Sequence, residues 1–157
     1  MTDLLQTWGS FYANHAAIRT LVTFVHVGAL MLGGGLAITA DRALLATGPD
    51  DDGARRTQLE SLDGTHRVVV ASLALITVSG LLLFASDFET FLYSRFFWIK
   101  MGLVGLLLVN GLVLWRIERR ALSGDDGAWR LLRVTAIASL TLWFLTTLGG
   151  VALPNIG

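Results

Sequence analysis

The chain has 157 residues and a mass of 17.0 kDa, room for one domain. Apolar residues make up 54% and charged residues only 15%, against about 25% charged in a soluble domain, and mean hydropathy is +0.63. The absence of cysteine excludes disulfides, thiolate zinc sites and iron–sulfur clusters, and a formal net charge of +0 leaves no basic field for nucleic acid. What remains is a small all-α integral membrane protein.

A helix needs roughly 20 mostly apolar residues to cross the hydrocarbon. Four segments meet that length, at about 20–40, 68–86, 96–115 and 131–153. Their apolar runs are continuous rather than alternating, which argues for helices over strands. The sequence therefore predicts a single four-span domain over 1–157, folded as an antiparallel four-helix bundle. The start MTDLLQTWGS has no basic region ahead of a short apolar run, so no cleaved signal peptide is expected.

Arginine placement orients the spans. The first–second connection and its flanks carry Arg42, Arg55, Arg56 and Arg67, and the third–fourth carry Arg116, Arg119, Arg120, Arg130 and Arg133. The opposite side has only Arg19, Arg95 and Lys100. The positive-inside rule places both long connections in the cytoplasm of a bacterium and both termini outside the inner membrane, on the periplasmic side. The acidic run Asp50, Asp51 and Asp52 in the first connection reads as a solvated loop before it reads as a cation site.

Polar side chains inside a span are expensive and need a reason. Lys100, the only lysine, lies about five residues inside the third span, roughly 8 Å deep. Either its stem snorkels to the headgroups or its charge faces the bundle to meet an anion. His26 lies roughly 10 Å down the first span, too deep for an imidazole to snorkel. Its alternatives are an interhelical hydrogen bond to a serine or threonine, or service as a ligand or proton carrier. Arg19, Thr23, Ala29, Gly33 and Ala37 share its helical face, a small and polar stripe that admits a close neighbour, whether a helix or a flat macrocycle. The fourth span adds Thr135, Ser139, Trp143, Thr146 and Gly150 at helical spacing, and the second adds Thr77 and Ser79. A polar pocket in the outer half of the bundle is expected. His66 opens the second span from the inner side, and its depth excludes a shared iron with His26; His15 falls at the outer surface.

The stretch from His26 through Gly33-Gly34-Gly35 to Asp41-Arg42, with Phe97-Trp98-Ile99-Lys100 and its following leucine-rich run, resembles the four-helix bacterial protoporphyrinogen IX oxidase of the HemJ type. His26, Arg42 and Lys100 are the matching positions. His26 with Gly33-Gly34, and the run SGLLLFASDFETFLYSRFFWIK, are also similar to the membrane domain of copper-resistance protein D and related small membrane families. The chain departs from the oxidase pattern at Leu32-Gly33, where a tryptophan is common, and at Asp41, where a proline is expected.

Three functions follow as expectations. The first is a redox protein binding b-type haem or another tetrapyrrole. In it His26 gives an axial nitrogen, Gly33 lies against the macrocycle, and the iron is five-coordinate or takes a sixth ligand such as Met101 or water. Lys100 and Arg42 pair with propionates or carry protons. A membrane redox partner or a second copy of the chain would be its companion. The second is a copper-handling protein using His26 with Met31 or Met101. The third is a non-catalytic accessory subunit whose polar residues join helices. The orientation is open to direct test. Single cysteines at Ala54 and Gly124 should resist a membrane-impermeant thiol reagent in intact cells, and one at Glu89 should react; labelling at Ala54 would reverse the topology.

Overall fold

The structure, a computed structural model, describes residues 2–48, 52–123 and 125–156. It contains six helices among the described residues: α1 (Thr2–Asn14), α2 (Ala16–Ala46), α3 (Asp52–Ser86), α4 (Phe88–Tyr93), α5 (Arg95–Leu122) and α6 (Asp126–Ile156). Four of them, α2, α3, α5 and α6, are long and apolar enough to cross a membrane. Each contains one of the four expected spans and overruns it. The largest overrun is in α3, which begins at Asp52 rather than near residue 68. The stretch ARRTQLESL has no proline and is rich in good helix formers, so the helix continues past the apolar stretch. Asp50 and Asp51 lie outside the described residues, and the question of a cation there goes with them.

Connections are short and locally capped. Only His15 separates α1 from α2, and its Nδ1 lies 2.7 Å from the Phe11 carbonyl while its ring stacks on Phe11. Ser94 opens α5, its Oγ accepting from the Phe97 N–H, the usual work of an N-cap serine. Asp125 accepts from the Gly127 N–H at 3.0 Å and from Arg120 at 2.7 Å, so one carboxylate caps α6 and ties it back to α5. The same bond from Arg120 holds the Asp125 carboxyl below its ordinary range.

The long helices pair as α2 with α3 and α5 with α6, and α2 also packs on α6. Close approach depends on missing side chains. A Cβ at Gly33 would stand 2.6 Å from the Ser72 Cβ, and one at Gly34 would stand 3.2 Å from the Trp143 ring. The glycine pair thus lets α2 seat on α3 with one residue and on α6 with the next. Farther along, Arg133 donates to the Thr47 carbonyl at 3.2 Å. The apolar core gathers at this end of the molecule: Leu44 of α2, Leu59 and Leu62 of α3, Ile117 of α5, and Ala128, Trp129, Leu132 and Ala136 of α6. Arg55 lies over the Trp129 ring, 5.0 Å from its centroid.

At the other end α3 and α5 meet through aromatic rings. Phe84 stacks on Phe97 at 4.9 Å, with Phe88 and Phe91 beside them. Here α1 docks on α3: Trp8 donates to the Leu82 carbonyl at 2.9 Å, and Gly9 lies against the Ser86 carbonyl.

The glycine contacts make a stability prediction. Gly33→Ala must displace Ser72 and should cost about 1–3 kcal/mol, the usual range for overpacking. Gly35 faces open space, so Gly35→Ala should be neutral or stabilise slightly. Thermal unfolding of the purified protein in detergent checks both, and an equal response from the two would refute the account.

Candidate functional site

His26 is half-buried on the face of α2 that meets α3. Its Nδ1 lies 3.0 Å from Ser79 Oγ, and its Cε1 would touch a Cβ at Gly80 at 3.3 Å. The Ser79 hydroxyl is within bonding distance of the Leu75 carbonyl at 2.6 Å and the Ile76 carbonyl at 3.2 Å. Its proton is committed to that backbone, so its oxygen accepts from the imidazole. The neutral ring is then the Nδ1–H tautomer, and Nε2 keeps its lone pair. A histidine that donates one ring N–H to a fixed acceptor is oriented to offer the other nitrogen, the arrangement common at metal-bound imidazoles.

Lys100 reaches the same region from α5. Its Cβ would lie 3.7 Å from a Cβ at Gly149 and its Nζ 3.6 Å from one at Gly150. The stem therefore lies across a bare glycine pair of α6 instead of running out along a lipid-facing surface. Close packing on the histidine and on the lysine thus depends on glycines in both cases: Gly80, Gly149 and Gly150. Lys100 has no carboxylate partner among the described residues. The helical register places it in that region, because Gly80 is one turn before Phe84 and Lys100 one turn after Phe97, directly beneath the stacked pair.

The fourth side of the site is α6. Ser139, Trp143 and Thr146 of its expected stripe are all buried. Thr146 is only 6% exposed and its Oγ1 has no hydrogen-bond partner, while Gly150, one turn on, lies under the Lys100 ammonium. A buried hydroxyl without a partner is costly. The region thus brings together an imidazole nitrogen, an ammonium and an unsatisfied hydroxyl.

Residues 2–153 match the model of a family described as a family of unknown function, DUF6644. The chain belongs to that family. No curated protein and no solved structure matches it.

Other expected site residues of this DUF6644 protein lie elsewhere. Arg42 is exposed and sixteen residues along α2 from His26, about 24 Å away. Gly33 is occupied by its contact with Ser72. Met101 is 38% exposed and Met31 72% exposed, so neither thioether is turned with His26 into the interior. His66 is thirteen residues before Ser79 on α3, about 20 Å from the His26 contact. Among the described residues no three histidine, aspartate or glutamate side chains come together as a metal cage.

The burial of two acidic residues was not expected. Asp41 is 6% exposed inside α2, with Oδ2 unsatisfied. Glu118 is 5% exposed in α5. Both fall one to three residues beyond the expected span ends, where apolar windows stop counting. A signal for Asp41 did exist: it follows Ala37 by four residues, on the small face that carries His26.

The His26–Ser79 bond can be measured. A double-mutant cycle of His26→Ala and Ser79→Ala, read by unfolding in detergent, should give a coupling near 0.6 kcal/mol, typical of polar pairs between membrane helices. Strict additivity would show that the two side chains do not interact.

Proposed function

We propose that this chain is an antiparallel four-span bundle in the bacterial inner membrane, with both termini outside, and that it binds b-type haem or a related tetrapyrrole between α2, α3, α5 and α6. The antiparallel sense is supported by contacts that run in opposite directions: His26 with Ser79 and Gly33 with Ser72, Lys100 with Gly150 and Asn110 with the Thr135 carbonyl.

The observation that carries the tetrapyrrole reading is an oriented His26 Nε2 at the same end of the helices as a Lys100 ammonium that has no carboxylate partner among the described residues. Ser79 fixes the tautomer and the direction of the ring. Lys100, lying on Gly149 and Gly150, presents a cation that matches a propionate. Thr146 Oγ1 offers a further polar contact. These groups fit such a ligand in donor chemistry: one imidazole nitrogen, one cation, one hydroxyl. Bound there, haem would supply one-electron or oxygen chemistry, and the protein would set ligation, dielectric and access. A protoporphyrinogen-oxidase-like activity rests on the sequence resemblance at His26 and Lys100. Arg42, exposed at the far end, is not placed to share in it. Copper handling gains no support from Met31 or Met101, which face outward.

A second reading has one observation in its favour. The His26–Ser79 bond is also what a histidine used to join helices would make, as in a non-catalytic accessory subunit. An absorption spectrum separates the two. The detergent-purified protein should show a Soret band, His26→Ala should lose it, and His66→Ala should keep it. Ser79→Ala should lower retention about tenfold, as loss of an orienting partner does. Lys100→Met should reduce retention while still inserting into the membrane, and Lys100→Arg should restore it only in part. A parent protein without a Soret band after haem supplementation, or a His26→Ala variant that keeps it, overturns the tetrapyrrole reading.

A further inference from the structure

Outside this site, the end of α1 and the start of α2 frame an open groove of about 500 Å³, lined by Tyr12, Arg19, Thr20, Thr23, Phe24 and Val27. We propose that this groove binds an anionic glycerophospholipid, with Arg19 holding the headgroup phosphate and one acyl chain descending along α2.

Charge and shape carry the proposal. Arg19 is the only charged lining residue, and no carboxylate lines the groove. Asp3, the acidic residue of α1, is nine residues before Tyr12 and so on the opposite side of that helix. One guanidinium N–H is used at 2.6 Å on the Ala13 carbonyl, near the end of α1. That bond fixes the group at the mouth and leaves the remaining donors of its five for an anion. The Tyr12 and Thr23 hydroxyls have no hydrogen-bond partner among the described residues. Planar, multidentate guanidinium beside free hydroxyls is the chemistry that recognises a phosphate diester.

Below the mouth the lining turns apolar. Phe24, Val27 and Met31 continue the stripe of Thr20 and Thr23 at spacings of three and four, and are 71%, 46% and 72% exposed. From Arg19 to Met31 is twelve residues, about 18 Å, close to the roughly 15 Å depth of one leaflet's hydrocarbon. A cation at one end of an apolar track of that length fits a lipid with its head at Arg19. A soluble phosphate would use only the mouth and leave the track bare.

Native mass spectrometry of the full chain tests this. Protein purified in neutral detergent is mixed with equal amounts of phosphatidylglycerol and phosphatidylcholine of matched chains. Phosphatidylglycerol should be retained in preference. Arg19→Gln should cut that preference about tenfold, the loss of one charge-assisted contact. Arg19→Lys should keep most of it, which separates lost charge from a loosened α1, and Arg56→Gln, an exposed arginine paired with Glu60, should change nothing. An excess of inorganic phosphate should fail to displace the lipid. Equal retention of the two lipids, an unchanged preference in Arg19→Gln, or displacement by phosphate alone overturns the proposal. None of these readouts depends on a bound tetrapyrrole.

Discussion

Side chains such as Phe24, Met31, Phe144 and Leu148 cover the outside of the long helices, and in a bilayer they gain nothing by leaving lipid for one another. What brings such helices together is close van der Waals contact and a few polar bonds, and both need small residues at the point of approach. In this protein that point is Gly33-Gly34. The first glycine admits Ser72 of α3 and the second admits Trp143 of α6, so α2 is the helix that both of its neighbours close on. The direct contact of α3 with α5 is slight and centres on the Phe84–Phe97 stack. A side chain at either glycine would therefore alter the depth and angle of everything else.

His26 depends on that constraint. It lies seven residues, almost two full turns, before Gly33 on the same face of α2, so the contact that seats Gly33 on Ser72 also sets His26 against Ser79 and Gly80. Lys100 is set by an equivalent device on α6, where Gly149 and Gly150 leave room for its stem. The polar groups thus occupy one end of the helices, beneath the aromatic stack, while Leu44, Leu59, Leu62, Trp129 and Leu132 fill the other. Buried Asp41 lies on α2 between His26 and Leu44.

The four long helices were legible because hydrocarbon thickness is a strict ruler: a continuous apolar run near 20 residues has few other uses. Helix ends were not, because lipid does not set them. Residues 52–67 are polar yet helical, and the burial of Asp41 and Glu118 was not foreseen for the same reason, since both lie just past the apolar windows but inside the helices. The face bearing His26, Ala29 and Gly33 followed from helical periodicity, and Ser79 was visible as a polar residue of the second span. Their pairing needed the register between two helices, which periodicity does not contain. Direction is likewise absent from a sequence pattern: Arg42, at a matching position of the resemblance, and Met101, beside Lys100, are both exposed in the structure.

Magnitudes distinguish the two readings of the polar end. A hydrogen bond between membrane helices is worth roughly 0.6 kcal/mol on average, so joining α2 to α3 is a sufficient use for His26 with Ser79. It is not a sufficient use for Lys100. A lysine at the centre of a membrane helix costs about 2.5–3.5 kcal/mol on an insertion scale, less toward an end, and a snorkelling stem recovers much of that by reaching the headgroups. Here the stem lies across Gly149 and Gly150, beneath the Phe84–Phe97 stack, with no carboxylate partner among the described residues. Thr146 adds a buried hydroxyl with no partner one turn away from Gly150. Helix joining explains the histidine and leaves the lysine and the threonine without a reason. On the reading proposed above, an anionic ligand that also takes an imidazole nitrogen would account for all three with one occupant, and that economy is the argument for a carboxylate-bearing macrocycle over an empty bundle.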